Sequence, residues 1–138
     1  SDRAIMLRGS TCRFRDWAAH NEKRARFRAH WAEFFGDVDI LLAPICPTPA
    51  FPHQHEGEMV TRSMEVDGQS RSYWMQVFWA GIFGMAYLPA TVFPAGLTAG
   101  GLPVGLQAVG PEYGDRMCIE FARAIGQVMG GFTPPPGY

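Results

Sequence analysis

Apolar residues recur with two different periods along this chain, and the changes of period divide it into elements. Between residues 11 and 35, Phe27, Trp31, Phe34 and Phe35 stand at i, i+4, i+7 and i+8, with Trp17 and Ala18 farther back and Gly36 following as a stop. That spacing predicts one long helix. VDILLAP, residues 38–44, is a short unbroken apolar run closed by proline, which predicts a strand buried on both faces. The next stretch, PICPTPAFPH, holds four prolines in ten residues, so it can be neither helix nor central strand and reads as a stiff extended loop. In MEVDGQSR, Asp67 and Gly68 supply the positive φ values of a two-residue turn, which predicts an exposed hairpin.

No charged residue occurs from Trp74 to Pro111. Within that run Val77, Phe78, Gly81, Ile82 and Met85 keep helical spacing over residues 73–86, a helix apolar on most sides and therefore expected to be internal. Residues 90–93 and 104–109 read as two core strands, joined by the turn-rich linker PAGLTAGGLP. A final helix is predicted over residues 114–129, with Asp115 as N-cap, Cys118, Phe121, Ala122, Ile125 and Met129 on one stripe, and Gly130-Gly131 as its end. Residues 1–10 are expected to be irregular and residues 133–138 to form an extended tail. Helix, strand, hairpin, helix, paired strands and helix together give an α/β layered architecture, as a single domain or part of one.

The uncharged run raises the question of a membrane span over residues 77–97. Pro89 and Pro94 oppose it, since each costs about 3 kcal/mol inside a helix, and Gly81 and Gly84 weaken the pattern further. No membrane partner is expected. The other face of the first long helix carries Arg13, Arg15, Lys23, Arg24, Arg26 and Arg28, but Asp16, Glu22 and Glu33 interleave and the formal net charge is -1. A solvated helix face accounts for this pattern better than nucleic-acid binding. Three widely spaced cysteines, Cys12, Cys46 and Cys118, fit neither a disulfide framework nor a C-x-x-C site, and with a polar N-terminal stretch they predict a reducing, cytoplasmic setting.

Candidate chemistry is sparse. His53-Gln54-His55-Glu56 is the one cluster of metal-ligand types, yet alternate spacing on an extended loop points the imidazoles apart unless the backbone bends, and nothing nearby completes a three- or four-ligand site. No metal is expected. Gly68-Gln69-Ser70-Arg71-Ser72 approaches a G-x-S-x-G elbow but carries Ser72 where the second glycine belongs. The glycines of residues 96–101 match neither a dinucleotide fingerprint nor a phosphate loop, so no cofactor is implied.

Several ordered motifs carry a more specific resemblance. The arginine-rich helix with Asn21, Arg24, Trp31 and Phe34-Phe35, then VDILLAPICPTPAFPH, VDG, Trp79 with LPATVFPAG, GLPVGLQAVGPEYGD, and GGF before the terminal prolines together resemble the C-terminal third of the amidase-signature hydrolases. The resemblance implies a fragment of a mixed β-sheet flanked by helices, from enzymes that cleave carboxamides with a Ser-(cis)Ser-Lys triad. In that family the lysine and the glycine- and serine-rich segment lie upstream of the region resembled, and Lys23 is the only lysine here. No catalytic residue is therefore carried over. The resemblance further implies that the helix over residues 73–86 and the loop after VDILLAP approach the acyl pocket, which makes Gln76, Trp79 and Phe83 candidates for contact with a small amide substrate. Two functions follow: a C-terminal piece of an amide hydrolase, inactive alone, or a non-catalytic binding or assembly module on the same scaffold. Strands built for a larger sheet leave edges and apolar faces open, so homo-oligomers are expected.

Overall fold

A computed structural model describes residues 2–135 and 137. Helix α1 (Asp2–Ser10) and helix α2 (Phe14–Phe34) precede strand β1 (Leu41–Pro44). A 3-10 turn (Met59–Thr61), the hairpin β2 (Ser63–Val66) and β3 (Gln69–Ser72), and a second 3-10 turn (Tyr73–Val77) lead into α3 (Phe78–Met85). Strands β4 (Ala90–Leu97) and β5 (Pro103–Val109) and helix α4 (Asp115–Met129) complete the order.

The main sheet has the order β1-β5-β4 and is antiparallel throughout. Opposite residues on antiparallel strands share a face, so the register Leu41↔Val109 and Ala43↔Gln107 puts Leu41, Ala43 and Val109 together. That face carries the core of Ala43, Val109 and Phe83, against which Trp31, Phe35, Leu41, Trp79, Ile82 and Leu88 pack from α2, α3 and their flanks. The register Phe93↔Leu106 and Thr91↔Ala108 defines the opposite face, where α4 lies and the Phe93 and Phe121 rings meet edge-on at 6.2 Å. The sheet thus sits between two helical layers, as the apolar periods predict.

Several boundaries and burials differ from the sequence reading, each for a local reason. Residues 2–10 are helical, not irregular. Arg3 reaches across to Glu58 at 3.0 Å, and the hydroxyls of Ser10 and Thr11 donate to the Leu7 carbonyl at 3.1 and 2.7 Å, closing the last turn. Of the extended tail, residues 136 and 138 lie outside the described residues. β1 buries one face only: Ala43 is 4% exposed and Leu42 is 48% exposed, because α4 does not extend over β1. The apolar segment 73–86 is split, since the Tyr73 amide donates to the Arg62 carbonyl (3.1 Å) and the Ser72 hydroxyl accepts from the Trp74 amide (3.3 Å), tightening its start into a 3-10 turn. Nor is it wholly internal. Phe83 and Ala86 are buried, whereas Met75, Val77, Phe78 and Met85 stand 42–51% exposed.

The turns follow their residue chemistry. Asp67 and Gly68 adopt φ of 51° and 72°, the left-handed pair that a two-residue hairpin needs. Half of the linker between the last two strands, residues 94–97 and 103, is itself strand, with Pro94 on the open edge of β4 and a bulge between Pro94 and Gly96. Gly114, not Asp115, caps α4, and Asp115 instead sets a carboxylate in the first turn, where the helix dipole favours it. Gly130 ends that helix at φ 90°.

Candidate functional site

Gln76, Trp79 and Phe83 start from different elements because of the split segment. Gln76 lies in the 3-10 turn and Trp79 and Phe83 lie on α3. A half-buried amide on an apolar segment needs a partner, and the Nε2 of Gln76 donates to the Thr48 hydroxyl at 3.1 Å and meets the Met64 sulfur. This ties the segment to the proline-rich loop and to the hairpin. The Trp79 ring is half-buried and stacks on Phe83 at 6.4 Å, and Phe83 meets Trp31 at 5.6 Å. Phe83 is 3% exposed and belongs to the sheet core. The structure therefore joins Trp79 to Phe83 and anchors Gln76 toward the loop that leaves β1.

Beside these residues, Phe27, His30, Trp31, Phe34 and Leu41 line an almost wholly apolar groove of about 420 Å³ between α2 and β1. Trp31 keeps its indole N–H buried without a partner among the described residues, and so does Trp74.

A second group was invisible to residue-by-residue reading. The guanidinium groups of Arg24 and Arg28, one turn apart on α2, lie 4.3 and 4.7 Å from the centre of the Tyr87 ring. Arg24 is steadied by the Asn21 side-chain oxygen at 2.8 and 3.1 Å, and Arg28 pairs with Glu112. The hydrogen bond from Arg28 to Glu112 is the chief cause that raises the Arg28 pKa above its ordinary value; partial desolvation opposes it. Tyr87 holds its place with a left-handed backbone, φ 61°. Two of the six basic side chains assigned to a solvated face are thus half-buried and engaged, while Arg13, Arg15, Lys23 and Arg26 are exposed. The only local signal was the i, i+4 spacing of Arg24 and Arg28. Tyr87 and Glu112 also line a cavity of about 510 Å³ with Gly84, Leu88, Pro89, Tyr113 and Asp115.

Lys23 stands exposed on α2, and Ser70 lies exposed on β3. Among the described residues, no group of three or more His, Cys, Asp or Glu side chains gathers as a metal would require. No helix among them is long and apolar enough to cross a membrane. All three cysteines are free, Cys12 and Cys46 exposed and Cys118 buried.

The chain and its fold have counterparts among known proteins. The amidase family profile matches residues 3–119. A glutamyl-tRNA(Gln) amidotransferase subunit of Granulibacter bethesdensis is 35% identical over 113 residues, 82% of this chain and 20% of that protein. The protein of the same name from Bartonella bacilliformis is 31% identical over 96 residues, 70% of this chain and 18% of that one. The crystal structure of the Thermotoga maritima protein of that name superposes with a TM-score of 0.61 at 27% identity, covering 91% of this chain and 26% of that one. The chain spans about a fifth of the length of these curated relatives. With a family match over most of its residues and the same fold in a solved relative, this chain belongs to the amidase family.

Proposed function

We propose that this chain is the C-terminal structural part of a serine-dependent carboxamide hydrolase. It supplies three core strands and a stretch of substrate-pocket wall, and the Ser-(cis)Ser-Lys residues belong to polypeptide outside it. One observation carries the reading: an amidase match over residues 3–119 coincides with a single lysine that stands exposed on α2. Among the described residues that lysine makes no hydrogen bond to a serine. Acyl transfer needs a nucleophile and base in mutual reach, and Lys23 has no serine paired with it among the described residues.

Gln76 and Trp79 are the proposed wall residues, with Phe83 behind them as the packed backing that fixes Trp79. The half-exposed apolar side chains of α3 and the unpartnered indole N–H groups of Trp31 and Trp74 support contact with further polypeptide, which would cover the first and satisfy the second. The relatives are named as subunits of an amidotransferase. For this chain the corresponding proposal is association, either with an upstream catalytic portion or, when alone, with copies of itself, in a reducing cytoplasmic setting.

The test is incubation of the purified polypeptide with simple amides and a serine-directed fluorophosphonate. Neither turnover nor label is expected. Stoichiometric labelling would overturn the reading. Light scattering should show dimers or larger species, and a stable monomer would remove the case for open apolar faces. An open reading frame continuing upstream with a lysine and a glycine- and serine-rich segment would exclude a free-standing non-catalytic module.

A further inference from the structure

The strands differ in what they offer at an open edge. β4 carries Pro94 and a bulge, β2 carries Glu65 and β3 carries Arg71, and proline, bulges and charge are the features that keep an edge from pairing with another chain. β1 has no charge along Leu41–Pro44, and its one proline is its last residue. It pairs with β5 on one side. The backbone groups of its other side meet no strand among the described residues.

Apolar surface continues from that edge onto both faces of the sheet. On the α4 side Leu42 stands half exposed. On the α2 side, the groove of Phe27, His30, Trp31, Phe34 and Leu41 takes a wall from β1 and none from β5 or β4, so it lies at the β1 end of the sheet. The buried Trp31 N–H in that groove has no acceptor among the described residues. The backbone of an added strand brings carbonyl oxygens.

A second copy fits this edge by symmetry. A two-fold axis perpendicular to the sheet pairs a strand with itself in the antiparallel sense, and opposite residues then share a face. With the axis at Leu42, that residue meets Leu42 of the partner subunit, while Leu41 meets Ala43 of the partner subunit. The apolar surface of each face becomes continuous across the joint. The two Leu42 side chains come to about 4.5–5.5 Å between Cβ atoms, each giving the other the cover that α4 does not. Asp39, the nearest charge before the strand, falls opposite Ile45 of the partner subunit, so no like charges oppose each other.

We propose that two copies of this chain join through β1, as an isologous antiparallel pair centred on Leu42 that merges their main sheets. The inference rests on the self-association proposed above and names the surface that carries it. It is independent of the hydrolase assignment.

The test is sedimentation velocity on the whole chain, under reducing conditions so that Cys12 and Cys46 form no cross-links. A dimer that dissociates on dilution is expected. Leu42→Lys and Leu42→Glu should each weaken it about tenfold or more, because each sets like charges directly opposite. Mixing the two variants should restore a heterodimer, which also shows that both are folded. Val92→Lys, at a 58% exposed position on β4, should leave the dimer as it is. A wild-type monomer would overturn this proposal together with self-association. A dimer indifferent to Leu42→Lys, or Lys and Glu variants that fail to combine, would overturn the pairing through β1 and leave self-association standing. The fluorophosphonate experiment judges the hydrolase reading separately.

Discussion

Gly110 joins the end of β5 to the turn that starts α4, and its missing side chain sets how closely that helix can approach the sheet. A Cβ added there would come within 2.7 Å of the Cys118 sulfur, while its other neighbours, the Gly114 carbonyl oxygen at 3.6 Å and Ile40 Cδ1 at 3.8 Å, would be in ordinary contact. Comfortable carbon contacts lie at about 3.5–4.0 Å, so the sulfur alone is too close, by roughly 1 Å. It has little room to yield. Cys118 is 0% exposed, its S–H donates to the Pro89 carbonyl at 3.6 Å, and the same carbonyl accepts from the Gly110 amide at 3.1 Å. Gly110→Ala should therefore destabilise by about 1–3 kcal/mol, the usual cost of overpacking a core.

Deleting the obstacle tests the cause. Cys118→Ala alone should cost about 0.5–1.5 kcal/mol, as for other deletions of one buried heavy atom. In the double variant the new methyl occupies space the sulfur has left, so the two costs should not add, and a coupling of about 1–2 kcal/mol should favour the pair. Urea melts followed by circular dichroism measure all four corners of the cycle. For a chain of this size each kcal/mol corresponds to roughly 3–5 °C in Tm. A stable Gly110→Ala, or strictly additive costs, would refute the packing argument.

Other outcomes follow from single sites. Burial, and secondarily the Asp115 carboxylate, push the Cys118 thiol pKa up, so the folded state holds this proton more tightly than the unfolded chain. The stability it contributes is intact below the ordinary thiol range near about pH 8.5 and is lost as pH rises through the folded value; the decline in urea midpoint at alkaline pH should flatten in Cys118→Ala. Thiol titration of the native protein should find Cys12 and Cys46 reactive at once and Cys118 only after denaturation. Tyr113 is 90% exposed with φ 65°, so Tyr113→Gly should relieve backbone strain while losing little packing, raising stability by about 0.5–1 kcal/mol in the same melts. Gly68→Ala, at φ 72° in the hairpin turn with no neighbour within 4 Å of the added Cβ, should cost about 1–2 kcal/mol through backbone conformation alone; an unchanged melt would contradict the left-handed turn.

The elements that sequence reading located best are those set by local rules. Asp67-Gly68 required its turn whatever surrounded it, and of the stripe Cys118, Phe121, Ala122, Ile125 and Met129 the first four fixed the inward side of α4, whereas Met129, in the last turn, is 46% exposed. Residues 2–10 failed because their order rests partly on a contact 55 positions away, between Arg3 and Glu58. The burial of 73–86 was overestimated for a related reason: apolar composition reports what a segment needs covered, and the described residues supply only part of that cover. At the proposed pocket wall the need of Gln76 for a partner was legible, but the partners Thr48 and Met64 were not, because loop closure brings them near. Arg24 and Arg28 looked like solvent-facing charge until Tyr87 and Glu112 arrived from distant stretches of chain.

The hairpin makes its own two-stranded sheet, paired from Ser63↔Ser72 to Val66↔Gln69, and within it only Met64 is buried. Two four-residue strands with one sequestered side chain have little to hold them when the Gln76 and Tyr73 tethers loosen. Deuterium uptake should therefore proceed in two tiers, with the hairpin amides labelling through frequent small openings and those of the central strand β5 labelling only when the whole molecule comes apart.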